Sequence, residues 1–204
     1  MPSSNTPEAL DVLPPDVVAA VERRREGLRA DIATWWADGE PVTLELGCGH
    51  GHYLTAFAEA HPEERCVGLD LVTKRVEKGR AKSEKRGLAK LHFAKADVRE
   101  FLELLPPEAR LKRVLMLFPD PWPKKRHAKK RMLQPGLLDM LAEHCDPGTP
   151  FYFRTDEPGM FAWGIERFEA HPQWAIREEP WLFEADSYFQ NLMDSWQSLV
   201  ARRL

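Results

Sequence analysis

The stretch LMLFPDPWPKKRHAKKR, from Leu115 to Arg131, joins an apolar run ending in a carboxylate to six Lys and Arg residues with no acidic residue among them. A short apolar run of this kind reads as a buried strand, which makes Asp120 an expected buried acid at a strand end, able to orient a reacting group held beside it. Prolines at 119, 121 and 123 stiffen the backbone around that acid and fix where it points. The positive run follows at once, at the open end of the strand, where Lys124, Lys125, Arg126, Lys129, Lys130 and Arg131 can track phosphates. The pairing implies chemistry at a fixed carboxylate on a substrate that carries a polyanionic backbone.

A second set of residues has the spacing of a ligand loop. The segment LELGCGHGHYL places Gly47, Gly49 and Gly51 after a strand-like run and before a helix-like one. Small residues there let the chain turn sharply and let a ligand approach the main chain, while the helix start offers free N–H groups. The third glycine comes one residue too early for the dinucleotide fingerprint G-x-G-x-x-G, which argues against an NAD-dependent oxidoreductase. Glu45 precedes the first glycine, and a carboxylate there repels a pyrophosphate but attracts the ammonium and sulfonium of S-adenosylmethionine. Asp70, nineteen residues after Gly51, stands where such folds place a ribose-binding acid. Asp97, in AKADVRE, can reach an adenine amino group or cap the helix that follows it. Cys48, His50 and His52 would converge on an ion only along an extended backbone and lack a fourth ligand, so no metal site is expected.

The elements that must position these groups can be read from the apolar pattern. Strands are expected at Val42 to Leu46, Cys66 to Asp70, Leu91 to Ala94, Val114 to Phe118 and Phe151 to Arg154, separated by helices at about 52–60, 72–86, 98–105 and 135–144. A helix at 158–170, a short strand near Trp174 to Glu178 and an apolar stretch at 196–201 follow. The alternation predicts an α/β fold, a doubly wound, mostly parallel, Rossmann-like sheet of seven strands with helices on both faces. Residues 1–40 are expected to form an N-terminal arm and a basic helix, 17–32, that packs on the core, and residues 41–204 a single domain. With 204 residues the chain can bury one substantial core, and no apolar run approaches the roughly 18 residues that span a bilayer. Three well-separated cysteines fit reduced thiols in a cytoplasmic protein. The formal net charge is −3, yet residues 74–90 carry eight basic side chains against two acidic ones. Such a run is either a solvated helix face or part of a polyanion surface.

Taken in order, LELGCGHG, GLD, KADVREFL, FPDPWPKKRHAKKR and RTDE resemble the tRNA (guanine-N7-)-methyltransferase family over about residues 42–160. The resemblance implies a class I fold using S-adenosylmethionine to methylate N7 of a guanine in tRNA. It implies cofactor contacts from Glu45, Gly47, Gly49, Gly51, Asp70, Asp97 and Asp120, with Asp120 also catalytic. It implies substrate contacts from Lys124 and Asp156, joined by Arg126, Lys129, Lys130 and Arg131 of the basic run. The family's T-x-x-E motif finds its nearest counterpart in Asp194-Ser-Trp-Gln197, where both signature residues differ, so Asp194 and Gln197 complete the expected substrate set. Partners are expected to be tRNA, with neither membrane nor metal, in a monomer or homodimer. The competing readings are a methyltransferase for an exocyclic amine and an RNA-binding protein that keeps the fold without turnover.

Overall fold

The computed structural model describes residues 14–185 and 195–204. Helix α1 (Pro15–Trp35) leads into β1 (Val42–Leu46), α2 (His52–Ala60), β2 (Cys66–Asp70), α3 (Thr73–Lys85), β3 (Leu91–Lys95), α4 (Val98–Leu104) and β4 (Leu111–Leu117). A 3-10 segment (Lys125–Lys130), α5 (Pro135–Glu143), β5 (Pro150–Thr155), α6 (Pro158–Glu169), β6 (Trp174–Arg177) and β7 (Gln197–Arg203) follow. The strands form one seven-stranded sheet in the order β3-β2-β1-β4-β5-β7-β6. The first five are parallel, and β7 runs antiparallel to both β5 and β6.

Every residue of β1 and β2 is buried, which explains why these strands read as continuous apolar runs rather than alternating ones. Leu44, Leu46, Val114, Met116, Phe151 and Phe153 face one layer, packed by α1, α4, α5 and α6. Leu115, Leu117, Tyr152 and Val200 face the other, packed by α2 and the segment that carries Trp181 and Phe183. Helix α1 is tied to the first layer by Leu28, Ile32 and Trp35, and by Arg24 and Arg25, which reach the buried Glu100 of α4 at 2.6 and 3.5 Å. Strand β4 begins three residues before its expected start, because Lys112 and Arg113 interrupt the apolar run while remaining in the strand, their cationic heads paired to Glu64.

Beyond β1 the chain order reverses: β1 is flanked by β2 on one side and β4 on the other. That reversal opens a crevice at the carboxyl ends of the strands, where ligands of doubly wound folds bind. Among the described residues no helix is long and apolar enough to cross a membrane.

Candidate active site

A cavity of about 360 Å³ occupies this crevice, lined by residues from the ends of β1 to β4. Its floor is the loop after β1, where Gly47, Gly49 and Gly51 have φ of 73°, 55° and 68°, a left-handed conformation that side chains with a Cβ avoid. The Asp70 carboxylate braces that loop from β2, one oxygen accepting from Gly49 N–H at 3.0 Å and the other from Val72 N–H at 2.7 Å. Asp97 caps α4 by accepting from Arg99 and Glu100 N–H at 2.9 and 3.3 Å, and it also lines the cavity. Both roles foreseen for Asp97 are therefore compatible with its placement.

Glu45 is the unusual group. It is 4% exposed, lines the cavity, and its Oε2 has no hydrogen-bond partner. Burial, and then the charge of nearby Asp70, push its carboxyl up to about 8. A buried acceptor without a donor is costly, typically about 1–3 kcal/mol, and a positively charged donor entering the cavity would remove that penalty. The site therefore fits a ligand with a cationic amine at its β1 end and hydroxyl or amino groups toward Asp70 and Asp97.

At the other end of the cavity the chain leaves β4 through Phe118, Pro119 and Asp120, all three in the lining. Asp120 is exposed at the mouth rather than buried as the apolar run suggested, because the chain has already turned out of the sheet. The turn is strained: Phe118 and Trp122 have φ of 49° and 41°, and left-handed non-glycine residues cost on the order of 1–3 kcal/mol each. It is held by a hydrogen bond from Phe118 N–H to the Arg154 carbonyl at 2.7 Å and one from Arg131 Nε to the Pro121 carbonyl at 2.9 Å. Lys130 lies over the Trp122 ring at 4.7 Å, and His127 meets its edge at 5.7 Å.

Several expected site residues have other positions. Gly51 lies behind the cavity lining, and its lack of a side chain is required by the Phe93 ring, into which a Cβ would collide. Arg131 is 9% exposed and stacks at 4.9 Å on Trp163, so its guanidinium braces the Asp120 turn instead of facing an RNA backbone. Lys124, Arg126, Lys129 and Lys130 are exposed in the turn and 3-10 segment that follow Asp120, and Asp156 is exposed just past the end of β5. Gln197 opens β7 opposite Thr155, one residue from Asp156. Asp194 lies outside the described residues. Cys48 is buried while the His50 and His52 rings stand 6.1 Å apart. Among the described residues His61, Glu63 and Glu64 form a loose cluster of groups able to bind metal, but Glu64 is already engaged by Lys112 and Arg113.

Two residues were missed. Arg154, only 2% exposed, is gripped by Glu184 through two hydrogen bonds of 2.8 and 2.7 Å and by Ser198 at 2.8 Å. Its guanidinium lies between Trp181 at 3.9 Å and Trp196 at 5.5 Å. Glu184, which ends Trp181-Leu-Phe-Glu184, is thus the acid that meets the RTDE strand at Arg154, while Gln197 pairs with that strand at Thr155.

The strand order with β7 inserted antiparallel, the glycine loop and the acids at successive strand ends define a class I methyltransferase fold. Solved structures agree: TrmN from Thermus thermophilus superposes with a TM-score of 0.58 at 19% identity, covering 86% of this chain and 48% of that one. An rRNA methylase from Streptococcus thermophilus does so with 0.56 at 8% identity, covering 81% and 87%. The chain belongs to the Methyltransf_4 family, described as "Putative methyltransferase", whose profile matches residues 39–193. It is 37% identical over 133 residues to the tRNA (guanine-N(7)-)-methyltransferase of Rhodospirillum rubrum, covering 65% of this chain. Only 52% of that relative is matched, so the chain spans about half its length. The tRNA (guanine-N(7)-)-methyltransferase of Synechococcus elongatus is 34% identical over 165 residues, covering 75% of this chain and 77% of the relative.

Proposed function

We propose that this protein transfers a methyl group from S-adenosylmethionine to N7 of a guanine in tRNA. The observation that carries the reading is the unpartnered Glu45 carboxylate in a cavity that ends at Asp120 and opens among exposed lysines and arginines. Glu45 would hold the cofactor's ammonium, Asp70 its ribose hydroxyls and Asp97 its adenine amine. When bound, that cofactor supplies an electrophilic methyl group on a sulfonium. Guanine N7 carries a lone pair and no proton, so its attack needs alignment at about 3 Å rather than a general base. An exposed Asp120 on a stiff, strained turn suits orientation, whereas an exocyclic amine would need its proton removed as well. N7 lies on the deep, narrow groove of A-form RNA, so the base has to be unstacked or in a loop to enter. Asp120 and Asp156 can then accept from guanine N1–H and N2–H, a pattern adenine does not offer. Lys124, Arg126, Lys129 and Lys130 would hold the backbone that delivers the base, in the cytoplasm where tRNA is processed.

Incubation with labelled S-adenosylmethionine and unfractionated tRNA, followed by digestion to nucleosides, tests this directly. Label in 7-methylguanosine is expected. Label in another nucleoside, or none, would refute it.

A further inference from the structure

We propose that one face of α3 is a second phosphate-binding surface for tRNA, on the other side of the cavity mouth from the 3-10 segment; it rests on the tRNA substrate proposed above. At 100° per residue, Lys74, Arg75, Lys78, Lys82, Lys85 and Arg86 fall within an arc of about 120°, and both Glu77 and Glu84 fall outside it. Val76, Gly79 and Ser83 form the buried side of the helix. The cationic arc turns toward the loop after β1, since Lys82 Nζ donates to the His50 carbonyl at 2.6 Å. His50, His52 and Arg75 line the rim of the cavity, which joins the stripe to the candidate active site.

A solvated helix face ordinarily alternates signs at i,i+4, because like charges at that spacing destabilise the helix. Here Lys74, Lys78, Lys82 and Arg86 are four cations in successive i,i+4 steps, spaced about 6 Å along the axis. Arg86 pairs with Glu59 and Arg75 approaches Asp70 at 3.5 Å. Among the described residues no carboxylate lies within ion-pairing distance of Lys74, Lys78 or Lys82. The crowding acts on neighbours too: burial and then Lys78 and Lys82 hold the His50 ring below its ordinary range, and burial followed by Arg86 and Lys78 does the same to the Lys82 amine. A regularly spaced polyanion relieves this repulsion, and a nucleic-acid backbone beside the mouth is the one the site calls for.

The test replaces Lys74 and Lys78, both exposed and away from the cavity lining, as K74A/K78A, with K74R/K78R as the charge-retaining control. Unfractionated tRNA is titrated at 50–200 mM salt. Loss of two phosphate contacts should lower the log-log salt slope by about 1.4–1.8, so the parent's advantage narrows by roughly tenfold across that range. The arginine pair should restore it, with cofactor affinity, melting temperature and kcat at saturating tRNA unchanged. An unchanged slope in a variant whose parent makes 7-methylguanosine overturns the α3 surface alone. Binding to polyglutamate lost while tRNA binding persists overturns it in favour of an acidic protein partner. A parent that makes no 7-methylguanosine overturns the function beneath it.

Discussion

Below pH 8 the Glu45 carboxyl is mostly protonated, and a cofactor ammonium seated beside it has to expel that proton. With the carboxyl titrating at about 8, roughly 1% is ionised at pH 6 and half at pH 8. With the cofactor's α-amino group itself one-half to two-thirds deprotonated at pH 8, affinity for S-adenosylmethionine should rise about 20-fold between those values, or just under ~2 kcal/mol at ~1.4 kcal/mol per unit. It should peak near pH 8 and fall above it, where the cofactor's α-amino group, with an ordinary value of about 7.7–8.0, loses its own proton. Calorimetry at pH 6.5 in two buffers of different ionisation enthalpy should record release of about one proton per cofactor bound. Glu45→Gln should release none, bind more weakly at pH 8 and lose the dependence between pH 6 and 8. The unliganded protein carries the opposite sign. A folded carboxyl raised from 4.5 to about 8 stabilises below the first value, and that contribution is lost as pH rises through the second. Binding without proton release and with a flat affinity from pH 6 to 8 would refute an ionised Glu45 as the ammonium partner.

Asp120→Ala should remove most methyl transfer while leaving melting temperature close to the parent's, since the side chain is exposed at the mouth; single-turnover rates at saturating tRNA and cofactor decide it. Arg131→Ala should lower stability by about 1–3 kcal/mol and slow turnover, yet leave the salt slope of tRNA binding unaltered, because its guanidinium is committed to Pro121 and Trp163. Gly51→Ala should destabilise by about 1–3 kcal/mol in denaturant unfolding, because both its left-handed φ and the Phe93 ring oppose a Cβ.

Strands β1 and β2 were legible to the residue, since each is a short, wholly buried run closed by a loop or turn residue. So was the cluster of Glu45, Asp70, Asp97 and Asp120, because parallel topology brings successive strand ends to one edge. What stayed hidden depended on direction rather than residue type. Six neighbouring cations look alike in a sequence, but the chain leaves the 3-10 segment so that Arg131 points inward to Trp163 while Arg126 and Lys129 remain outside. The Arg154 and Glu184 pair joins positions thirty apart, and only the return of the chain across β5 and β7 makes them neighbours.

The place of β7 between β5 and β6 also constrains how the domain assembles. During synthesis β6 is complete some twenty residues before β7 begins, yet among the described residues its only sheet partner is β7. Until Gln197–Arg203 emerges, β5 keeps an open edge of unpaired N–H and C=O groups beside Phe151 and Phe153, the kind of edge that invites pairing with another chain. Insertion of this last strand closes that edge, captures β6 and delivers Ser198 and Trp196 to Arg154 in one step.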